Sequence, residues 1–306
     1  MTDIPQASAI GFVSGYVTIL GRPNAGKSTL LNALVGGKIA ITSERPQTTR
    51  DRVAGILTTD HYQIVFLDTP GVIAPRDRFN ETLVARVAEA LDSIDVLYHI
   101  VDAANDEPQN ERLAKLLEHA RPRAKFLLVN KTDKLTKHNE PAALSAPGMN
   151  PARYDEVFFI SALRRKGLNT LLERTVARLA PGPLFYDPEQ ISDRDERFMA
   201  AEIVREKVFR HTGAEVPYAV FTEIEVFEER PGRDFISVVI YVERDSQKGI
   251  LIGGGGRMMK TIGSQARAEI EKLTGRPAFL QLHVKVRKNW RKNEHDLASF
   301  GFKKPK

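Results

Sequence analysis

Gly21-Arg22-Pro23-Asn24-Ala25-Gly26-Lys27-Ser28 is the stretch whose reading decides the fold. The apolar run Tyr16-Val17-Thr18-Ile19-Leu20 precedes it, and Thr29-Leu30-Leu31-Asn32-Ala33-Leu34 follows with helical spacing. Strand, glycine-bounded loop and helix in that order are the context of a phosphate-binding loop. Backbone N–H groups of such a loop converge on phosphate oxygens, and the helix dipole adds partial positive charge. Gly26 lets the backbone come close, Lys27 reaches the β/γ oxygens and Ser28 can ligate Mg²⁺. The stretch Gly21–Thr29 therefore predicts a nucleoside-triphosphate site.

Other motifs extend it. Asp68-Thr69-Pro70-Gly71 ends the apolar run Ile64–Leu67. An aspartate at that strand end can hold Mg²⁺ directly or through water, and Gly71 offers a backbone N–H to a γ-phosphate. Asn130-Lys131-Thr132-Asp133 ends the run Phe126–Val129. The Asp133 carboxylate suits guanine N1–H and N2–H₂, and Asn130 suits O6/N7. Adenine lacks the matching donors, and a site built to hydrogen-bond its substrate rejects such an analogue strongly. Ser161-Ala162-Leu163 follows the run Val157–Ile160 and offers a backbone N–H to guanine O6. Between the first two motifs lies Pro46-Gln47-Thr48-Thr49-Arg50-Asp51, where a threonine hydroxyl can complete a Mg²⁺ shell. Thr49 is the first candidate and Thr48 the second. Val72 follows Gly71, and an apolar side chain cannot orient an attacking water as a glutamine can. The expected catalytic set is Lys27, Asn24, Thr49 and Gly71, and the expected metal ligands are Ser28, Thr49 and Asp68.

The runs named so far, with Val96–Val101, alternate with helical stretches at Ser28–Val35, Asn80–Leu91, Glu107–His119 and Leu168–Leu179. Near-continuous apolar strands between helices imply an α/β unit with a mostly parallel sheet. Ligands of such sheets gather at the carboxyl ends of the strands, where the motifs fall. No apolar run approaches the ~20 residues of a membrane span, and Met1–Ser14 lacks the pattern of a signal peptide. The chain has no cysteine, which removes disulfides and thiolate metal sites and fits a cytoplasmic protein.

Charge is unevenly spread. Residues 1–180 carry 23 Lys+Arg against 20 Asp+Glu, residues 181–243 carry 7 against 14, and residues 244–306 carry 15 against 5. A net +10 on the last stretch, behind an acidic one, marks a polyanion-binding surface. Pro181-Gly182-Pro183 reads as a linker. Asp193–His211 then has helical spacing, with Phe198, Ala201, Ile203, Val204 and Val208 as the apolar face and its charged residues as a solvated side. Two alternating segments, Tyr218–Phe227 and Phe235–Val242, predict a β-hairpin. Ile250-Leu251-Ile252-Gly253-Gly254-Gly255-Gly256-Arg257, a helix Met258–Leu273 and a strand Phe279–Val286 follow. Helix, two strands, a helix broken at Gly-x-x-Gly, a second helix and a strand are the order of a type II KH domain, whose glycine loop clamps four nucleotides. Ile252, the four glycines, Arg257, Lys260 and Arg267 are the candidate RNA contacts, with Ile250 beside them. Lys288 and Trp290 join them from the basic tail. Trp290 has two readings, stacking on a base or packing onto the core.

A GTPase unit with these motifs followed by one KH domain resembles the bacterial Era family of ribosome-assembly GTPases. The resemblance runs from Gly15 to Trp290 and includes GRPNAGKSTLLN, ITSERPQTTRDR, DTPG, NKTD, DRDERFMAAEIVREK and IGSQAR. It implies an N-terminal extension 1–14, a GTPase domain 15–180, a linker 181–192, a smaller α+β KH domain 193–290 and a basic tail 291–306. It implies GTP/GDP and Mg²⁺ as ligands, GTP hydrolysis, and binding to the 3′ end of small-subunit ribosomal RNA during maturation of the 30S subunit. A cytoplasmic monomer, with peripheral association at the inner membrane face, is implied as well. Asn24, together with the apolar Val72, resembles potassium-assisted GTPases, in which K⁺ supplies positive charge. The chain departs from the family in its all-glycine KH loop, where a basic residue is usual; Arg257 is the substitute. Two other classes remain in view from the residues alone: a nucleotide-regulated protein-docking switch, and an RNA-binding protein with a structural nucleotide.

Overall fold

The structure is a computed structural model, and it describes residues 11–302 except 44, 46–47, 73–76, 92–93, 106, 109 and 136–140. Most of the expected N-terminal extension, Pro46-Gln47 and the terminal Lys303-Lys304-Pro305-Lys306 lie outside the described residues. The chain divides into two compact units. The first comprises Met1–Ala40, Thr49–Ala74 and Leu83–Asp193; the second comprises Ile41–Thr48, Pro75–Thr82 and Arg194–Lys306.

The first unit alternates strands and helices: β1 Val13–Gly21, α1 Lys27–Val35, β2 Val53–Thr58, β3 Tyr62–Asp68, the part of α2 Arg78–Glu89 from Leu83 on, β4 Val96–Asp102 and α3 Glu111–His119. It continues with β5 Ala124–Asn130, the short α4 Ala142–Ser145, β6 Glu156–Phe159, α5 Leu168–Val176 and β7 Ala180–Pro181. The sheet order is β2-β3-β1-β4-β5-β6. From β3 to β6 all pairs are parallel, and β2 is antiparallel to β3. The central strands are buried nearly throughout, as sheets with covered faces require. Each fully buried Val, Leu or Ile there contributes about 1.5–3 kcal/mol. Their carboxyl ends bring Gly21, Asp68, Asp102 and Asn130 to one edge of the sheet.

Two features differ from the sequence reading. Strand β2 is new, because Gly55 interrupts its apolar pattern. A Cβ there would come within 2.6 Å of the Leu31 and Ile39 side chains, so the glycine marks close packing rather than a break. The segment read as a linker stays on the first unit. Pro181 and Ala180 pair antiparallel with the start of β1. The buried Gln63 side chain accepts from Phe185 and Tyr186 N–H and donates to the Tyr186 carbonyl. Ile56 N–H then bonds to the Ile191 carbonyl.

The second unit contains α6 Glu196–His211, the short α7 Val216–Ala219, β8 Phe221–Glu228, β9 Asp234–Val242, α8 Asp245–Ile252, α9 Arg257–Thr274, β10 Ala278–Val286 and α10 Glu294–Ser299. Its sheet order is β10-β9-β8, antiparallel between β8 and β9 and parallel between β9 and β10. Ile203, Val204 and Val208 of α6 and Ile262, Ala266 and Ile270 of α9 pack with Ile236, Val238 and Ile240 of β9. Tyr218 lies in α7 rather than in a strand, since Pro217 opens a helical turn there. Helix α6 overturns the expected solvated side: Arg205, Glu206 and Lys207 are all buried. They persist because each is paired, Arg205 with Glu202, Glu206 with Arg210, and Lys207 with Glu269 of α9. Buried charges require such partners. No helix among the described residues is long and apolar enough to cross a membrane.

Candidate functional site

The phosphate loop runs from the end of β1 into α1. Gly26 caps the helix at φ 101°, and a Cβ on it would come 2.3 Å from the Asn130 amide nitrogen. Gly71 meets a similar limit, because a Cβ there would fall 2.8 Å from the Pro23 backbone. Only glycine fits at either point. Helix α1 has no acidic residue in its first turn, so nothing there competes for the N–H groups and dipole that favour an anion. Lys27 is buried and its Nζ donates to the Gly21 and Arg22 carbonyls at 3.3 and 3.0 Å. Burial lowers its pKa to about 8, with Asp68 opposing that shift.

Beside it the Asp68 carboxylate is fully buried. Its Oδ2 accepts from Ser28 Oγ at 2.7 Å and from Thr49 Oγ1 at 3.2 Å. The Ser28 and Thr49 hydroxyls lie 3.0 Å apart, while Asp68 Oδ1 is buried with no hydrogen-bond partner. Desolvation raises the Asp68 pKa, against the lowering effects of Lys27, Ser28 and Thr49. An orphaned carboxylate oxygen among hydroxyls is a hard oxygen-donor set of the kind Mg²⁺ takes with phosphate and water. Thr48 is turned elsewhere, and its hydroxyl donates to the Arg45 carbonyl. Thr69 Oγ1 anchors the turn after β3 to the Ile19 carbonyl. Val72 is buried among Leu20, Val87, Leu97 and Leu113, so its place is the core. Asn24 is exposed with φ 63°.

At the base side, Ser161 Oγ donates to Asp133 Oδ1 at 2.5 Å and holds an otherwise exposed carboxylate in place. Lys131, at φ 65°, pairs with Asp102 at the end of β4. Asn130 is buried, and its Nδ2 donates to the Ala25 carbonyl while its Oδ1 accepts from Ala162 N–H. These bonds tie the phosphate loop to the Ser161 loop, and the second N–H of the Asn130 amide remains for an acceptor such as guanine N7. The Ala162 N–H donates to Asn130 Oδ1. Leu163 is exposed. The residues missed in the sequence are positioning ones. Asn32 accepts from Ile39 and Ala40 N–H and donates to the Ala40 carbonyl, which fixes the chain leaving α1.

In the second unit, Gly253-Gly254-Gly255-Gly256 joins α8 to α9, with φ between 62° and 77° at Gly253, Gly255 and Gly256. Arg257 Nε donates back to the Gly254 carbonyl at 3.1 Å, which keeps a cation beside the loop. Arg257, Lys260 and Arg267 are exposed on α9, at spacings that share one face, opposite the buried Ile262, Ala266 and Ile270. Ile250 and Ile252 are exposed next to the loop, and Lys288 is exposed beyond β10. Trp290 is not a surface residue. It is fully buried, donates from Nε1 to the Ala219 carbonyl, and packs edge-on against Phe79 and Phe300. Its ring cannot stack on a base, because its burial between aromatic neighbours leaves no free face.

Strand-end chemistry of this kind, joined in one chain to a glycine loop between two helices, defines the class: a P-loop GTPase carrying a KH domain. Residues 16–131 match the family model of a 50S ribosome-binding GTPase, and residues 215–291 match that of a KH domain. The GTPase Era of Geobacter metallireducens is 44% identical over 95% of this chain and 98% of its own length. That of Carboxydothermus hydrogenoformans is 41% identical over 96% and 99%. Two solved structures superpose with a TM-score of 0.87 at 33% identity, covering 95% of this chain. One is a point variant of Aquifex aeolicus Era bound to GDP·AlF₄⁻, covered to 100%. The other is Era with MgGDPNP and nucleotides 1506–1542 of 16S ribosomal RNA, covered to 99%. The chain belongs to the Era family of GTPases.

Proposed function

We propose that this GTPase binds the 3′ end of small-subunit ribosomal RNA through its KH unit, and that nucleotide state governs that binding during maturation of the 30S subunit. The observation that carries the reading is the match, over both units, to an Era structure holding MgGDPNP and a 16S RNA fragment. The residues fit it. Lys27 and the N–H groups entering α1 hold the β/γ phosphates, Asp133 selects guanine, and Ser28, Thr49 and Asp68 supply the metal's oxygen ligands. Mg²⁺, when bound, neutralises charge on the phosphate oxygens. Gly71 N–H is available to the γ-phosphate. With Val72 in the core, no side chain at that position orients water, so hydrolysis by the isolated protein is slow. Asn24 holds K⁺ beside the phosphates as the additional positive charge. The protein acts as a cytoplasmic monomer, with peripheral association at the inner membrane face.

The test is RNA binding in each nucleotide state. A labelled oligonucleotide of the 16S 3′ end is titrated by anisotropy in GDP and in GDPNP, with the wild type and with Gly254→Asp/Gly255→Asp. A Cβ at Gly254 has its nearest neighbour, an Arg257 nitrogen, at 3.4 Å, and one at Gly255 meets nothing within 4 Å although its φ of 62° strains a side chain; aspartate is among the residues that visit that region most readily, and the melting temperature of the variant is the control for its fold. Its two carboxylates face the RNA backbone and abolish binding, while GDP affinity is unchanged. RNA binding that is normal in this variant, or identical in both nucleotide states, refutes the reading.

A further inference from the structure

The loop that carries Thr49 changes units at a single peptide bond. Thr48 closes the segment Ile41–Thr48 of the second unit, and Thr49 opens the next segment of the first. On one side of that bond the Thr49 hydroxyl sits on Ser28 and Asp68. On the other, the Thr48 carbonyl accepts from Arg205 Nη2 at 2.6 Å. Arg205 is 1% exposed and lies in the middle of α6. Its Nε donates to Glu202 Oε1 at 2.7 Å, Nη2 also pairs with Glu202, and its guanidinium lies over the Phe209 ring. Nη1 is buried without a hydrogen-bond partner. A buried cation with one carboxylate, one carbonyl and one unused donor depends heavily on the bonds it has. Nothing in the GTPase motifs calls for an arginine 157 positions away to hold this carbonyl.

We propose that Arg205 is a positioning residue for Thr49. By fixing the Thr48 carbonyl, it sets the backbone from which the Thr49 hydroxyl reaches the metal ligands, so the triphosphate-bound arrangement of the loop requires α6. Lys207 of the same helix pairs with Glu269 of α9, the helix that begins at the glycine loop. The inference rests on Thr49 being a metal ligand of the triphosphate state.

GDP and GDPNP affinities are measured by calorimetry in Mg²⁺ for full-length wild type, Thr49→Ala, Arg205→Met and Arg205→Lys, and for Thr49→Ala combined with Arg205→Met. Arg205→Met weakens GDPNP about tenfold and GDP less than twofold. Arg205→Lys keeps a charge beside Glu202, and hence the fold, yet shows the same split, because one ammonium cannot replace the guanidinium fork. In the Thr49→Ala background Arg205→Met adds nothing, as expected for residues acting as one unit. Equal loss of GDP and GDPNP in both Arg205 variants would mean a merely structural role and overturn the proposal. Unchanged GDPNP binding in those variants, with Thr49→Ala impaired, overturns it too. If Thr49→Ala itself binds GDPNP normally, the metal-ligand reading of Thr49 fails first, and the inference falls with it.

Discussion

Asn130→Asp separates a base-reading role from a structural one. The substitution preserves shape and keeps an acceptor for the Ala162 N–H, which lies 3.0 Å from Asn130 Oδ1. It removes the donor that meets the Ala25 carbonyl at 2.8 Å and sets a carboxylate oxygen against that carbonyl instead. The site is buried. A lost partner in such a place costs about 1–3 kcal/mol, and more when the new group is charged, so about 2–4 kcal/mol is expected. For a unit of this size that lowers the melting temperature by about 5–15 °C. The carboxyl escapes the penalty by taking up a proton, which lets it donate to Ala25 again. Its folded pKa is thus raised above the unfolded value, and the stability so recovered is present at low pH and lost as pH rises through the folded pKa. Melting curves of nucleotide-free wild type and variant between pH 5 and 8 should show the gap widening with pH. GDP affinity should fall because the phosphate loop is loosened, while Asp133 continues to reject ADP. A variant with wild-type melting temperature and a collapsed preference for GDP over ADP would refute the structural role and leave Asn130 with the base alone.

Asp133→Asn should weaken GDP and improve xanthosine diphosphate, because the new amide offers a donor where guanine also donates; calorimetry showing equal loss for both diphosphates contradicts base reading by Asp133. GTP hydrolysis should rise when Na⁺ is replaced by K⁺, and Asn24→Ala should lose that response; an unchanged ratio of the two rates removes Asn24 from the mechanism. His99 is buried, bonds through Nδ1 to Tyr154 Oη and has its pKa lowered to about 4 by desolvation. Between pH 6.5 and 4 the unfolded chain therefore binds a proton the native one refuses, and stability falls by up to about 3 kcal/mol as pH drops through that window. The urea midpoint of His99→Gln should change less between pH 7 and 4.5 than that of the wild type, and an equal change assigns the acid sensitivity elsewhere.

The phosphate-loop stretch, Asp68 and the Asn-Lys-Thr-Asp run are legible in the sequence because each is short and its expected chemistry is local. Gly26 is legible for the same reason: a glycine between strand and helix has one reading. The loop-tying bonds of Asn130 are not, since a carboxamide in Asn-Lys-x-Asp is equally competent to meet a base or a loop carbonyl. Only the positions of Ala25 and Ala162 on either side of it reveal those bonds. Trp290 failed in a different way. Its neighbours in sequence, Lys288, Arg291 and Lys292, point to nucleic acid. Its neighbours in space, Phe79, Phe221 and Phe300, are spread across the chain and make it the centre of an aromatic cluster.

Helix α6 shows why periodicity misleads most where function is coupled. A pattern rule sends Arg205, Glu206 and Lys207 to solvent, because charged residues off the apolar stripe are usually exposed. Here the helix is covered on more than one side, and the charges are carried inward with their partners. Those partners lie 3 and 157 residues away for Arg205, 4 for Glu206 and 62 for Lys207. The short separations are visible to a sequence rule and look like ordinary surface pairs, worth a few tenths of a kcal/mol. The long ones are not visible at all, and they distinguish a solvated face from a linkage. Glu269 answers Lys207 from the helix that starts at the glycine loop, and the Thr48 carbonyl answers Arg205 from the residue before Thr49. Two different sides of the helix thus hold one bond each, to the Thr48 carbonyl and to Glu269. Desolvating three consecutive charges on this helix is a cost that apolar residues would have avoided, which favours a selected linkage over incidental packing.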